Sequence, residues 1–544
     1  MLARVMSGAV VGIDAVLVEV EVDMALGLPY FNVVGLPDGA ARESKVRVIS
    51  ALKNTGYELP QKRVTVNLAP ADLKKEGAAF ELPVALGVLG ACKLLEESAL
   101  QGTLFAGELS LDGWLKPIRG VLPLALAARR LGFGAVVVPR ANAAEAALVD
   151  GLRVYGATHL REVVEHLTAA QVLAPLPAGI LAGGRLRPTA EPPDMADVRG
   201  QGDIKMALEL AAAGGHNVLL CGPPGSGKTM LARRLPSILP PLESSEALEI
   251  TKIYSVLGLL PEGHALVTER PFRAPHHTLS DAGLVGGGPL ARPGELSMAH
   301  HGVLFLDELP EFRKNVLEVL RQPLEEGVVH LARANHNVSY PCRLMLVAAM
   351  NPCPCGYFNV PGRRCNCPEA RVHAYQSRVS GPLVDRMDIT LQTRPVEYRR
   401  LVPREVPEPP SSWYRDRVVE ARARQRHRFR DTPGIHCNAQ MGPRQMRAAC
   451  ALDPAAESVL KRAVEFHQLS ARAHDRLLKL ARTRADLEGH ADIREEDMMV
   501  AVDCRQLDRA SWMPALDSGN RASGGSQQLS QMIRRKAAAG GPGE

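Results

Sequence analysis

Aromatic residues are scarce, at 4% of the 544-residue chain, so composition announces no stacking surface for single-stranded nucleic acid. Long apolar runs are missing too. No stretch reaches the roughly 18 residues that a bilayer-spanning helix needs, so no membrane span is expected. The opening segment, MLARVMSGAVVGIDAVLVEVEVD, lacks the pattern of a secretory leader. Its apolar run breaks at Asp14 and then alternates through Val16, Val18, Val20 and Val22, which predicts a strand with one buried face. A cytoplasmic location is expected. Strong charge of one sign is also absent. The net charge is +6, compatible with a polyanionic partner but too mild to argue for one. Cysteine is limited to ten residues, and four of them cluster between Cys353 and Cys367. Without an export signal, such a cluster points to metal binding more than to a disulfide framework.

What remains is ordinary globular material, 46% apolar and 23% charged. The length exceeds what one core can use and predicts roughly two to four domains. Residues 1–170 alternate strands and helices. Strands are expected at Val16–Val22, Arg63–Leu68 and Ala135–Val138, with helices over Ala78–Leu95 and Leu122–Leu131. Proline, glycine and alanine dominate from Pro175 to Pro193, which marks 171–194 as a linker. A second unit, 195–395, carries apolar strands at Asn217–Cys221, Val303–Leu306 and Leu344–Met350. Strand-loop-helix alternation with continuously apolar strands predicts an α/β core, a parallel sheet covered on both faces. From 396 to 512 the pattern is helical, with one long helix over Ser411–Arg430 and two more within Pro454–Leu487. The tail, 513–544, is rich in Gly, Ser, Gln and Arg and has too little apolar surface to order itself. No internal repeat is evident.

The sharpest signal is GPPGSGKT, running Gly222, Pro223, Pro224, Gly225, Ser226, Gly227, Lys228, Thr229. It matches G-x-x-x-x-G-K-[ST] in full, after an expected strand and before a helix. Glycines let backbone N–H groups turn inward around phosphates, and the helix N-terminus adds positive potential. Lys228 supplies an ammonium for the β- and γ-phosphates, and Thr229 a hydroxyl for Mg²⁺. A glycine-rich structural turn is the bland alternative, disfavoured by that context. GVLFLDEL, at Gly302–Leu309, is a buried strand delivering two carboxylates. Asp307 is expected in the Mg²⁺ shell, and Glu308 is expected to activate the attacking water. A third apolar strand ends at Met350 and Asn351. That amide would sit beside the carboxylate strand and could position water, or it could simply begin an Asn-Pro turn.

Five stretches in combination resemble the AAA+ ATPases, and within them the magnesium-chelatase-like ComM/YifB family. They are FNVVGLPDGAARESKVRV (Phe31–Val48), PFRAPHHT (Pro271–Thr278), GVLFLDELPEF (Gly302–Phe312), NPCPCG (Asn351–Gly356) and SGPLVDRMDI (Ser380–Ile389). The resemblance covers nearly the whole chain. It implies a P-loop AAA+ parallel-sheet core with a C-terminal helical lid. It implies ATP and Mg²⁺ as ligands and a homo-oligomeric ring, a hexamer. It also implies an ATP-driven DNA motor, a branch-migration helicase acting in natural transformation or recombination. By the same resemblance Asn351 matches the sensor-1 position. Arg386 looks like the arginine finger that reaches a neighbouring subunit's ATP, and Arg472 like the sensor-2 arginine of the lid. Without the family, Arg386 reads as a surface partner of Asp385 or Asp388, and Arg472 as one more charge on a basic helix.

Residues 1–170 resemble the Lon protease domain, an α+β fold like ribosomal protein S5. The clearest stretch is GELSLDGWLKPIRGVLPLALAARRLGFGAVVVP at Gly107–Pro139. Lon-type proteolysis uses a serine activated by a lysine. By register the serine would fall near Ala79, in a segment reading KEGAAFELP, and the lysine near Val121, Leu122 and Pro123. A methyl group cannot attack a carbonyl and leucine cannot accept a proton, so peptidase activity is disfavoured. This domain is expected to support the ring or bind DNA.

Cys353, Cys355, Cys365 and Cys367 form C-x-C, nine residues, C-x-C. Four thiolates suffice for a closed tetrahedral Zn²⁺ site, and the intervening residues can make the return turn. Four reduced thiols on a loop are the alternative, since C-x-C is tighter than the usual spacing. For DNA contact, two segments carry small basic side chains: Arg273, His276 and His277 in one, and His330, Arg333 and His336 in a hairpin-like stretch over Gly327–Tyr340. The run Arg422–Arg430 places arginine at every second position, for a solvated face or acidic neighbours, or for a phosphate-tracking surface. Two competing functions stay open: an AAA+ remodeller of a protein or metal-insertion complex without DNA, and a Lon-like peptidase.

Overall fold

The computed structural model describes residues 2–35, 39–58, 61–71, 77–177, 193–260, 265–288, 291–333, 336–394, 408–432 and 434–505. Most of the expected linker, the whole tail from 513 and the start of the expected lid fall outside them.

The N-terminal part is built on a seven-stranded mixed sheet. In spatial order the strands are Tyr30–Val34, Arg63–Ala69, Asp14–Ala25, Leu2–Val11, Thr103–Phe105, Ala135–Pro139 and Arg153–Ala157. Leu2–Val11 and Asp14–Ala25 form a long antiparallel hairpin. The strands from Thr103 onward add in parallel, as the intervening helices require. One correction concerns Val16. The alternation predicts it inward with Val18, Val20 and Val22, but it is exposed while Ala15 is buried. The hairpin tip explains this. Val18, Val20 and Val22 belong to one core, whereas Ala15 packs with Leu122 and Leu124 into a second core. The helix expected over Ala78–Leu95 spans only Glu81–Ala91. Lys93, at φ 63°, has already left helical geometry.

The second core joins this part to the rest. The helix Val121–Arg130 packs beside the helix Ser244–Leu257, and the Gly120 amide donates to the Ser255 carbonyl at 3.0 Å. The buried Glu145 carboxylate accepts from Ser255 Oγ and from the Leu122 amide.

The second sheet has five parallel strands in the order Phe272–Arg273, Val303–Leu306, Met345–Met350, Val218–Cys221, Ile389–Gln392. Its three central strands are buried along their whole length, so separate cores cover its two faces. The strand Val218–Cys221 begins one residue later than expected, and Asn217 before it ties the neighbouring segments together. Asn217 Oδ1 accepts from the Leu346 amide at 2.8 Å, and the Asn217 backbone N–H donates to Asp388 Oδ2 at 3.0 Å. The C-terminal part is helical, over Ser411–Phe429, Pro454–His467, Ala471–Glu488 and Glu495–Asp503. Its first and third helices pack on the helix Gly202–Gly214 behind the sheet. The fold is therefore α/β with a helical C-terminal region.

Candidate functional site

In a parallel sheet, the carboxyl ends of neighbouring strands open onto one edge, where loops gather side chains from distant positions. Here three adjacent strands deliver Gly222, Asn351 and Asp307. The Asn351 strand lies between the other two. Gly222–Thr229 wraps from strand end to helix start. Gly225 and Gly227 hold φ of 74° and 82°, a region that side chains resist. Gly222 has no room for a side chain, since a Cβ there would stand 2.0 Å from Thr393 Oγ1.

Lys228 opens the helix with its ammonium folded back into the loop. Nζ donates to the Gly222 and Pro223 carbonyls at 2.7 and 2.9 Å, and to Asn351 Oδ1 at 3.2 Å. Burial holds its pKa below the ordinary lysine value. Thr229 Oγ1 donates to Asp307 Oδ2 at 2.6 Å. This pairing of hydroxyl and carboxylate suits Mg²⁺, which takes one or two protein oxygens and completes its shell with water and phosphate. Glu308 stands at φ 51°, a conformation that costs a non-glycine residue roughly 1–2 kcal/mol. Such strain concentrates at functional sites. Its carboxylate is largely exposed, and His277 Nδ1 lies 3.5 Å from Oε2.

Two supporting residues, Gln201 and Thr393, give no sequence signal, and a third, His277, gives a signal for a different role. Gln201 Nε2 donates to the Ser226 carbonyl at 2.9 Å, and Thr393 Oγ1 meets Ser226 Oγ at 2.7 Å. His277 was singled out for nucleic acid, yet its neighbour is Glu308. Nothing in a separation of that length connects the two. Only the pairing of Phe272–Arg273 with the acidic strand does.

Arg386 and Arg472 are not brought to Lys228. Both line an open cavity of ≈ 770 Å³ to which no residue of Gly222–Thr229 contributes. Arg386 is correctly a paired arginine, but neither Asp385 nor Asp388 is its partner. Its guanidinium binds the Arg321 and Pro382 carbonyls at 2.9 Å each and the Glu325 carboxylate. Asp388 is taken by Arg476 at 3.2 Å and by the Asn217 amide. Arg472 is exposed on the first turn of Ala471–Glu488.

The remaining candidates divide. Arg273 is tied to Glu295 in a two-pronged ion pair at 2.7 and 2.8 Å. His276 meets Thr278 Oγ1 at 3.0 Å, and His330 meets Ser339 Oγ at 2.8 Å. Val328–Arg333 and His336–Pro341 do form a hairpin, while the Arg333 and His336 side chains fall outside the described part. The arginines of the 422–430 run all have partners: the Ala212 carbonyl, Glu420, Glu243, Asp486 and Asp431 in turn. At Ala79 the backbone carbonyl accepts from Gly107, and among the described residues of that segment the buried polar side chain is Glu81. Glu81 Oε1 is bound by Arg47, Oε2 accepts from the Leu109 amide at 2.7 Å, and burial pushes its pKa up to about 6. The four clustered cysteines do converge, their sulfurs all within 4.8 Å of one another.

Comparison with known proteins gives the frame for this site. Residues 194–401 match the family model for magnesium chelatase subunit ChlI, residues 20–142 a second ChlI model, and residues 408–505 the ChlI C-terminal model. The chain is 40% identical to the competence protein ComM of Haemophilus influenzae, over 93% of this chain and 98% of that protein. It is also 40% identical to YifB of Escherichia coli and 41% identical to YifB of Salmonella typhimurium, over the same shares. The chain belongs to the ComM/YifB family. It is thus a magnesium-chelatase-like AAA+ protein, and this family implies use of ATP and Mg²⁺. The chelatase subunits themselves are more distant from this ComM/YifB member. The 38 kDa subunit of Rhodobacter capsulatus is 26% identical over 28% of the chain. Among the described residues no helix is long and apolar enough to cross a membrane.

Proposed function

We propose that this protein is an ATP-driven, ring-forming DNA motor of the ComM type, a branch-migration helicase serving natural transformation or recombination in the cytoplasm. One observation carries the ATP-hydrolysing half of the reading: Lys228, Thr229, Asp307 and Asn351 meet at the carboxyl edge of one sheet, linked by hydrogen bonds. In this reading Gly222–Thr229 cradles the triphosphate and Lys228 exchanges its loop carbonyls for phosphate oxygens. Thr229 and Asp307 hold Mg²⁺, which neutralises phosphate charge when bound. Glu308 takes the proton of the attacking water, and Asn351 orients that water. Arg386 acts from one subunit on the nucleotide of the next, in a homo-oligomer of six, and Arg472 serves as the sensor-2 arginine of the helical lid. No residue of the chain's own phosphate loop lines the cavity that Arg386 occupies, which favours its action on another subunit.

The domain reading is 1–170 as a Lon-like domain without a nucleophile, a linker over 171–194, the ATPase core over 195–395, the lid over 396–512 and a tail over 513–544. The DNA half rests on the likeness to the competence protein ComM. The four cysteines are read as a zinc site. The deciding experiment is the ATPase rate with and without forked DNA. Stimulation by DNA supports the motor. Stimulation by a protein partner alone, with DNA inert, replaces it with a remodeller of the chelatase kind.

A further inference from the structure

We propose that Cys353, Cys355, Cys365 and Cys367 hold a zinc ion that fixes the phosphate loop and Asn351 relative to each other, so that metal loss weakens ATP binding while the motor stays folded. The inference rests on the ATP-binding reading of Gly222–Thr229 and adds a structural control to it.

The sulfur geometry comes first. Cys353 Sγ lies 3.3 Å from Cys355 Sγ and 3.7 Å from Cys365 Sγ, and Cys355 Sγ lies 3.5 Å from Cys365 Sγ. A disulfide needs about 2.05 Å, so these are not bonded pairs. Tetrahedral zinc with sulfurs at about 2.3 Å has edges of about 3.8 Å, close to what is seen. Backbone amides also turn toward the sulfurs: the Cys367 N–H donates to Cys365 Sγ at 3.4 Å. Such outer contacts accompany thiolate ligands and hold them in place. A second candidate group, Glu249 with His300 and His301, does not compare. His300 Nδ1 accepts from the Arg343 amide, so its other nitrogen carries the proton and donates to Glu249.

The placement of the cysteines then gives the site its consequence. Between Met350 and Glu369 no helix or strand forms, so hydrogen-bonded turns and the cysteine cluster do most of the holding. That segment touches the phosphate machinery at both ends of its first turn. Asn351, two residues before Cys353, accepts from Lys228. Gly356, the residue after Cys355, sits on Pro224 of the phosphate loop at φ 82°. A Cβ there would stand 2.4 Å from Pro224 Cδ. Behind it, Gln376 Nε2 donates to the Pro352 carbonyl at 2.9 Å. Four thiols binding one Zn²⁺ release their protons and cross-link this stretch into one body. Without the ion, the turn bearing Asn351 and Gly356 gains freedom, and ordering it again must be supplied by ATP.

The test uses the full chain, purified without chelator. Elemental analysis is expected to give about one zinc per chain. Binding of a fluorescent ATP analogue is then measured before zinc removal, after it, and after zinc is returned, with circular dichroism confirming the fold. Removal is expected to weaken binding by about tenfold, and zinc to restore it. Gly356→Ala is the second variant: it keeps all four ligands but pushes on Pro224, and is expected to retain zinc while binding ATP less tightly. Absence of zinc both as purified and after its addition overturns the metal site. Equal ATP affinity with and without zinc, or a Gly356→Ala protein that binds like the parent, overturns the coupling. A zinc-loaded protein that binds no ATP removes the reading beneath it and leaves the metal site standing.

Discussion

His277 Nδ1 lies 3.5 Å from Glu308 Oε2, in the turn that follows the strand next to the acidic one. The imidazole can orient the carboxylate without touching phosphate. Its ring is itself held edge-on against Phe312. His277→Ala is therefore expected to slow hydrolysis by about tenfold, less than the roughly 10²–10⁴-fold that a general base itself contributes because Glu308 remains, with ATP binding unchanged. Glu308→Gln should bind ATP and fail to turn it over. Single-turnover hydrolysis alongside nucleotide titration separates the two effects. A Glu308→Gln protein with parental turnover would remove the water-activating assignment, and His277→Ala with a lowered affinity would place the imidazole on the nucleotide instead.

Lys228 spends its buried ammonium on two loop carbonyls and on Asn351. Truncation removes the charge that a triphosphate needs, so Lys228→Ala is expected to lose ATP binding altogether. Asn351→Ala should retain binding and lose at least about tenfold in turnover, since it removes an orienting amide while leaving the charge. Isothermal titration with a non-hydrolysable analogue, beside steady-state rates, tests both. Unchanged kinetics for Asn351→Ala would leave it as the start of an Asn-Pro turn.

How much of this was legible depends on how local each feature is. The phosphate loop is a contiguous motif with a strand before and a helix after, so the sequence exposes it completely. The buried strands Val303–Leu306 and Met345–Met350 are legible for the same reason, being unbroken apolar runs. Partnerships across long separations are not. Arg386 has acidic neighbours at 385 and 388, and proximity in sequence suggested them, yet helix packing delivers Glu325. Val16 follows its strand's parity, and only the second core at the hairpin tip reverses its environment. Gln201 and Thr393 meet Ser226 through tertiary packing that no spacing encodes. The cysteines are an intermediate case. Their spacing hinted at a metal, and the return turn that gathers them is a product of the fold.

Arg386 offers a test of assembly. Its guanidinium is engaged by Glu325 and two carbonyls within the chain, in the cavity that also holds Arg472. If it serves the neighbouring subunit, Arg386→Ala should bind ATP normally and hydrolyse it about 10³-fold more slowly. Mixing it with Lys228→Ala should recover part of the activity, because an intact phosphate loop can then face an intact arginine. No recovery over a range of mixing ratios, with mixed rings shown to form, would count against action across the boundary. Arg472→Ala is expected to behave in the same direction.

Glu81 gives a prediction about pH. Its side chain is fully buried, and burial raises its pKa from 4.5 to about 6 despite hydrogen bonds from the Leu109 amide and Arg47. Between those values the folded state keeps a proton that the unfolded chain has lost. Stability from this group is therefore greatest below pH 4.5 and falls as pH rises through 6. The shift corresponds to about 2 kcal/mol by neutral pH. Gln cannot ionise, and its amide oxygen can still accept from Leu109. Glu81→Gln should thus gain on the parent as pH rises, by up to about 2 kcal/mol between pH 4 and 7, and the gain should then level off. Urea unfolding of parent and variant across that range, compared pairwise, isolates the group from every other titration. A difference independent of pH would mean that Arg47 compensates the buried charge completely.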